Sequence, residues 1–393
     1  MAMAGNLAAG SSLTGVVASR PALRDPVVVP EALNCGTAHA DRWVKDRARR
    51  GNAAAGGGPM HGTLSGGLIG CGFLAVNHLH AWRDIAGVEI AAVFGQDPAR
   101  LAAVAEQFGI ARRYAAAAAM LAAQALSSVD IVTTVPSHRS LIERAARRRL
   151  PVICRKPLAA TMADASAMVD ACPAAGVPLT VHESQRWQSQ IRQVRAFLDH
   201  GEIGTPFWER VSFRSGATTS FRASPTWRRA SGSSWRASAS TGSAPPASGS
   251  ARCPSLAARS NRVSPAVEGE GGATCVVDMS YAAKRAPDPF PKTTVEVDGS
   301  QRFIRLSRGC RLAVTSPAGT REVDASPPML PWAGKPWHGV QDSVRAIQQH
   351  RADCLRAGRE PDTSGRDNLR SAALVEAAYA GAAGAGAVDP ARH

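Results

Sequence analysis

Apolar residues along positions 61–183 form short continuous runs separated by stretches with helical spacing. The runs have the length of buried strands and lie at 66–69, 88–94, 129–134, 151–154 and 177–181. The stretches between them predict helices at 77–85, 98–108, 115–125 and 140–149. Strands that alternate with helices in this way predict a doubly wound α/β domain with a parallel sheet, which binds its ligands at the carboxyl ends of the strands.

The C-terminal part of the chain shows a different pattern. Apolar and polar residues alternate at 293–300, 302–306 and 311–315, and an Asp-Gly pair separates the first two segments. This pattern predicts an antiparallel meander. Two amphipathic helices are predicted after it, at 337–357 and 368–383, and His338 and His350 are expected to lie on the first of them without binding a ligand.

A glycine turn follows the first predicted strand and opens a helix. Gly70 allows a tight turn, Gly72 lets the backbone approach a pyrophosphate, and Ala75 is small enough for close packing of helix against strand. The N-terminus of the helix would face the phosphates. The motif alone is weak in a chain rich in glycine and alanine, but the order strand, turn, helix, strand supports a dinucleotide site.

Several short motifs follow the later predicted strands. They are Pro136-Ser137-His138, Cys154-Arg155-Lys156-Pro157-Leu158, Val181-His182-Glu183 with Arg186, and Gly201-Glu202-Ile203-Gly204. In this order they resemble the glucose–fructose oxidoreductase, inositol dehydrogenase and rhizopine catabolism (Gfo/Idh/MocA) family of NAD(P)-dependent oxidoreductases. The resemblance runs from about 68 to 213 and resumes from about 256 to 383.

The resemblance implies a fold, a reaction and a set of site residues. It implies an N-terminal Rossmann domain and a C-terminal α+β domain, whose mostly antiparallel open sheet covers a sugar or polyol substrate and forms the interface of a homodimer or homotetramer. Hydride would pass between the substrate and NAD or NADP, and Lys156 falls on the family's catalytic lysine. The residues expected to contact the cofactor are Gly70, Cys71, Gly72, Phe73, Leu74, Ala75, Asp97, Thr134, Pro136, His138, Arg155, Lys156 and Glu183.

Three positions depart from the family pattern. Arg155 replaces the usual glutamate, and its charge is expected to lower the pKa of Lys156 by like-charge repulsion. Gly95 stands where an acidic residue would hold the adenosine ribose, with Asp97 two positions later, so the choice between NAD and NADP stays open. Ser184 stands where many relatives have asparagine. His182 and Glu183 are as compatible with a site as with structural hydrogen bonds.

The segment 210–267 has an unusual composition. It contains no Asp or Glu and nine Arg, and so it carries most of the formal net charge of +15. Positions 217–254 show neither a strand period nor a helix period, which predicts a low-complexity or disordered stretch inside a domain that should pack. Without a basic face interleaved with aromatic residues, these charges do not predict a specific nucleic-acid partner.

One physical account is that 216–254 is translated out of frame. With compatible codons, reading Ser238-Ala239-Ser240-Thr241 one base earlier gives Leu-Gly-Ile-His, which restores the family's Gly-x-His motif. As written, the chain has no histidine between His200 and His338. Loss of a general acid–base costs roughly 10²–10⁴-fold in rate. Impaired turnover is therefore expected, and a non-catalytic dinucleotide-binding protein and a non-functional product remain alternatives.

The remaining features concern the domain limits, targeting segments, cysteines and metal ligands. The expected division is a disordered extension at 1–60, a Rossmann domain at 61–183 and a C-terminal domain at 184–390. The extension has no apolar run long enough to span a membrane and no signal-peptide pattern. Eight scattered cysteines without a Cys-x-x-Cys pair suit a reducing cytoplasm, and no ligand spacing predicts a metal site.

Overall fold

A computed structural model gives the fold of most of the chain. It describes residues 59–123, 125–214 and 293–381, together with 252–255, 258–259, 262–263, 266–268 and 272–280. The disorder predicted for 216–254 lies outside the described residues, as does the hypothesis that this segment is out of frame. The same holds for the predicted N-terminal extension apart from its last two residues.

The first sheet has six parallel strands in the order β3-β2-β1-β4-β5-β6. The strands are β1 Leu64–Ile69, β2 Val88–Phe94, β3 Arg112–Tyr114, β4 Ser128–Ile131, β5 Val152–Arg155 and β6 Leu179–His182. The direction in which strands are added reverses between β1 and β4, and this switch point opens a crevice at the carboxyl edge. The predicted doubly wound parallel sheet is confirmed.

Six α-helices connect and follow these strands. They are α1 Ala75–Arg83, α2 Pro98–Phe108, α3 Ala117–Ala123, α4 His138–Arg147, α5 Met162–Ala174 and α6 Ser189–Asp199. Local chemistry explains several of their ends. Pro98 occupies the first turn of α2, and Gly109 ends that helix with φ of +68°. The Thr161 side chain caps α5 by accepting from the backbone N–H of Asp164.

The structure differs from the sequence pattern at two strands of this sheet. Strand β3 was not predicted, because it has three residues and includes the exposed Arg112 and Arg113. The apolar run at 129–134 ends as a strand at Ile131, and residues 135–137 form a 3₁₀ turn that starts from Thr134. The run stays apolar after the strand ends because the next residue, Val132, is still buried at the edge of the core.

The second sheet has ten strands among the described residues. They are β7 Pro206–Arg214, β8 Arg252–Ser255, β9 Ala258–Arg259, β10 Arg262–Val263, β11 Ala266–Glu268, β12 Thr274–Ser280, β13 Thr293–Gly299, β14 Phe303–Leu306, β15 Arg311–Ser316 and β16 Gly319–Asp324. The main path is β16-β15-β14-β13-β7-β12-β10-β9, and β11 pairs with β12 and β8. Only the pair β7 and β12 is parallel. The predicted mostly antiparallel open sheet is therefore confirmed.

Helix α6 covers one face of this second sheet. Its apolar residues Ile191, Val194 and Phe197 share a buried cluster with side chains of β7, β13, β14 and β15. The helix begins soon after β6 and leads into β7. This packing places the start of the second sheet close to the carboxyl edge of the first.

Two C-terminal helices, α7 His338–Ala357 and α8 Gly365–Ala380, return to the first sheet. Ala352 and Leu355 of α7 share a buried cluster with Trp82 of α1 and Ile153 of β5. The segment before α8 pairs with β6, where the Val181 N–H donates to the Thr363 carbonyl over 2.8 Å. The C-terminal helices thus pack on the Rossmann sheet. Among the described residues, no helix is long and apolar enough to cross a membrane.

Candidate active site

The glycine turn after β1 forms a tight cradle at the carboxyl edge. Gly70 has φ of +116°, and a Cβ there would lie 2.8 Å from the Val132 carbonyl oxygen. A Cβ on Gly72 would meet nothing within 4 Å, so the backbone is open on that side. Ala75 is fully buried at the start of α1, and Phe73 is 90% exposed. These features fit a dinucleotide pyrophosphate in contact with the backbone.

Cys71 lies within the glycine turn, and Asp97 lies just after β2, two residues beyond Gly95. The Cys71 thiol donates to the Phe94 carbonyl over 3.5 Å, and burial raises its pKa to about 11, so the thiol stays protonated. A Cβ on Gly95 would lie 2.8 Å from the Cys71 Sγ atom, which explains the small residue at the tip of β2. The half-exposed Asp97 carboxylate caps α2 by accepting from the N–H groups of Ala99 and Arg100. Its contact with a cofactor ribose stays a prediction.

His138 links the loops that follow β4 and β5. It is buried at the start of α4, with Nδ1 3.0 Å from the Leu158 carbonyl and Nε2 3.2 Å from the Thr133 carbonyl. Burial lowers the pKa of this imidazole. Both ring nitrogens face backbone carbonyls, which supports a structural role at the helix start. Thr134 and Pro136 lie in the adjoining 3₁₀ turn at the carboxyl edge.

Lys156 follows β5 directly and is half-buried. Burial first, and then the charge of Arg155, lower its pKa from 10.5 to about 7, while the Glu183 carboxylate acts in the opposite direction. The lowering expected from Arg155 is confirmed in direction, and burial is its larger cause. An amine with this pKa exchanges protons near neutral pH, which suits a general acid–base.

Arg155 belongs to a buried polar cluster beneath the sheet edge. Its guanidinium donates to His182 Nδ1 over 3.3 Å, and the His182 ring stacks on His78 at 4.3 Å between centroids. His78 Nδ1 and the indole N–H of Trp82 each lie 2.7 Å from one oxygen of Asp130. Burial, with the charges nearby, lowers the pKa of His182 well below its usual value. His182 is therefore neutral and available as an acceptor.

Glu183 lies beside Lys156 at the carboxyl edge. Its carboxylate is fully buried and accepts from the Asn368 amide over 2.7 Å and from Arg186 over 3.3 Å. Arg186 also donates to Asp367. Burial raises the pKa of Glu183, and the nearby cations Arg186 and Lys156 oppose that rise.

Asn368 and Asp367 were not identified as site residues from the sequence. Both lie in the first turn of α8, far along the chain from the Rossmann motifs. The sequence offers one indication of this helix start, Ser364, whose side chain caps the helix by accepting from the Asp367 N–H over 3.3 Å. That signal predicts a helix start and says nothing about its neighbours in space.

The other candidates have structural partners. Ser184 is buried in the 3₁₀ turn after β6. His350 accepts from the Asp362 N–H over 3.0 Å and packs against Trp187. Within the described ranges, no three His, Cys, Asp or Glu side chains are grouped to hold a metal ion.

Comparisons with known proteins agree with this geometry. Residues 64–183 match the family model described as an oxidoreductase family with an NAD-binding Rossmann fold. D-apiose dehydrogenase of Rhizobium rhizogenes is 48% identical over 336 residues, which cover 83% of this chain and 97% of that protein. D-apiose dehydrogenase of Paraburkholderia graminis is 49% identical over 326 residues, covering 80% and 87%.

A solved structure gives the same result. It is an oxidoreductase from Agrobacterium radiobacter, described as a complex with NAD⁺, L-tartaric acid and magnesium. It is 44% identical, with a TM-score of 0.77 over 84% of this chain and 99% of that one. The glycine cradle, the half-buried lysine after β5 and relatives of this identity agree: the chain belongs to the Gfo/Idh/MocA family of NAD(P)-dependent oxidoreductases, which transfer hydride between nicotinamide and a sugar or polyol hydroxyl.

Proposed function

We propose that the chain acts on a small sugar of the D-apiose class, with Lys156 as the residue that exchanges the hydroxyl proton. The observation that carries the proposal is the position of the half-buried Lys156, with a pKa lowered to about 7, at the carboxyl edge that also holds the glycine cradle. The names of the two relatives above support the substrate class. NAD or NADP would lie on the turn formed by Gly70 and Gly72 and would supply the hydride acceptor.

The proposed chemistry breaks the O–H bond of a substrate hydroxyl and the C–H bond of the carbon that bears it. The hydroxyl proton would pass to the neutral amine of Lys156, a bound NAD or NADP would accept the hydride from the same carbon, and a carbonyl would form. A pKa lowered to about 7 lets the Lys156 amine gain or lose a proton near neutral pH, which suits either direction of proton transfer. Glu183 and Arg155, which act on the lysine with opposite signs, tune that balance.

We further propose that turnover is slow in this chain. The sequence has no histidine between His200 and His338, and the family resemblance expects one in that interval as the acid–base partner of the lysine. Its absence would reduce the rate by roughly 10²–10⁴-fold. A non-catalytic dinucleotide-binding protein is the alternative, since the glycine cradle is retained.

Two finer features belong to the same proposal. A homodimer or homotetramer would form through the second sheet, and gel filtration with light scattering measures its mass. A cytoplasmic location is supported by six free cysteines, namely Cys71, Cys154, Cys172, Cys275, Cys310 and Cys354.

The test combines binding and turnover. Calorimetric titration with NADH and with NADPH measures cofactor affinity, and initial rates are measured with D-apiose, D-xylose and myo-inositol. Lys156→Met, which keeps the volume and removes the amine, should retain cofactor binding and lose the remaining rate. An unchanged rate in this variant would contradict the role of Lys156. Cofactor binding without turnover on any of these substrates would favour the non-catalytic alternative.

A further inference from the structure

Strands β5 and β6 end side by side at the carboxyl edge. Arg155 and His182 are register partners in the two parallel strands. The next residues along each strand, Lys156 and Glu183, therefore leave the sheet next to each other. The Glu183 carboxylate acts to raise the pKa of Lys156, against the lowering by burial and by Arg155.

Both oxygens of the Glu183 carboxylate are held by other residues. One accepts from the Asn368 side-chain amide over 2.7 Å, and the other accepts from Arg186 over 3.3 Å. Glu183 and Asn368 are both buried. A buried carboxylate held at both oxygens keeps one orientation, and donors directed at it favour its charged form.

Backbone pairing and close packing hold the start of helix α8, which carries Asn368, against the first sheet. The preceding segment pairs with β6 through the Val181 N–H and the Thr363 carbonyl, 2.8 Å apart. A Cβ on Gly365 would lie 2.9 Å from Val169 and 3.0 Å from Leu179, so the helix approaches α5 and β6 as closely as glycine permits. This contact sets the position of the Asn368 side chain relative to Glu183.

We propose that Asn368 is a positioning residue for Lys156: its amide holds the Glu183 carboxyl group in one orientation beside the lysine amine. This inference rests on the role proposed above for Lys156. An amide is suited to the task because it donates a hydrogen bond without adding net charge, whereas Arg186 shares its charge with Asp367. The C-terminal helix thereby contributes to the acid–base chemistry of the residue that follows β5.

The charged and titratable groups around the pair give the direction of the effect. Lys156 faces Arg155 at the end of β5, the imidazole of His182 at the end of β6, and Glu183, which follows β6. Glu183 also faces Arg186 and Asp367. Without the Asn368 amide, the charged form of Glu183 loses a donor and a larger fraction of the carboxyl is protonated. Less negative charge then faces the lysine, so its pKa falls further.

The measurement is an NMR titration of the full chain with lysine labelled with ¹³C at the ε carbon. The chain has five lysines, Lys45, Lys156, Lys284, Lys292 and Lys335. Loss of one signal in Lys156→Met assigns its resonance. Asn368→Ala should lower the pKa of Lys156 by about 0.5 to 1 unit, a threefold to tenfold change in proton affinity. Leu369→Ala, which removes a core contact from the same helix, should leave this pKa unchanged.

The outcomes separate positioning from general stability. An unchanged Lys156 titration in Asn368→Ala would overturn the inference, as would an equal shift in Leu369→Ala. If the alanine variant does not fold, Asn368→Leu fills the same space without a donor and should give the same downward shift. The titration needs neither substrate nor cofactor, so a failure to find dehydrogenase activity leaves its result fully interpretable.

Discussion

The charge at position 155 sets part of the acidity of the proposed catalytic lysine. Arg155 lies in the buried cluster with His182, one residue before Lys156, and its like charge disfavours the ammonium form. Arg155→Gln removes that charge and keeps a hydrogen-bonding side chain for His182. The variant should therefore raise the pKa of Lys156.

The size of the shift follows from Coulomb's law. With roughly 10 Å between side chains that follow each other along an extended strand and an effective dielectric constant of about 20, the repulsion is about 1.7 kcal/mol. One pKa unit corresponds to about 1.4 kcal/mol, so the expected rise is about one unit. Since burial is the larger cause of the lowered value of about 7, the pKa in the variant should stay well below 10.5.

The assay is the ε-¹³C lysine titration described above, and it has two matched controls. Arg155→Lys keeps the charge and should leave the pKa of Lys156 close to its original value. Arg147→Gln makes the same change of charge on the exposed surface of α4, where solvent screens it, and should have no effect. Equal pKa values for Lys156 in Arg155→Gln and Arg155→Lys would refute the electrostatic reasoning and assign the whole shift to burial.

Three further predictions concern stability and cofactor binding. Because the pKa of Lys156 is lower in the folded chain, the unfolded chain binds more protons between about pH 7 and pH 10.5. In urea denaturation, the free energy of unfolding of the wild type should therefore rise with pH in this window relative to that of Lys156→Met. Asp130→Asn leaves a buried donor unpaired and should lower the free energy of unfolding by about 2–4 kcal/mol in the same denaturation experiment. Trp82→Phe removes only one of the two donors to Asp130 and should lower it by about 1–2 kcal/mol. Equal losses in the two variants would contradict the geometry in which both donors share one carboxylate oxygen. Gly70→Ala combines a positive φ with a 2.8 Å approach of its Cβ to a backbone oxygen, and it should weaken NADH binding at least about tenfold in calorimetry. Gly72→Ala, which has open space for its methyl group, should have a smaller effect.

Local sequence patterns predicted much of the Rossmann domain. The strand runs and helical periods reproduced the order of its main elements, and the glycine turn was identified because a tight turn requires glycine at a particular place. The pattern failed where an element is short and exposed, as at β3, whose three residues bury too little apolar surface to leave a signal. The meander of β13, β14 and β15 was predicted from its alternation.

The candidate site was predicted in part. Lys156, Glu183 and the glycine turn lie at one carboxyl edge, because the ends of parallel strands meet there whatever the details of packing. His138 was predicted as a cofactor contact, and the structure gives both of its ring nitrogens backbone carbonyl neighbours. Its actual cofactor contact stays a prediction, as does that of Asp97.

The sequence by itself determined the features that depend on neighbours along the chain: the alternation of strands and helices, the glycine cradle and the like charge beside Lys156. Only the tertiary structure decided which distant side chains act on that lysine. Asn368 meets Glu183 across a separation of 185 residues, and Arg155 meets His182 only because β5 and β6 pair in register. The physical reason is that burial and hydrogen-bond partners, which set the acidity of these groups, arise from packing between elements that no local pattern specifies.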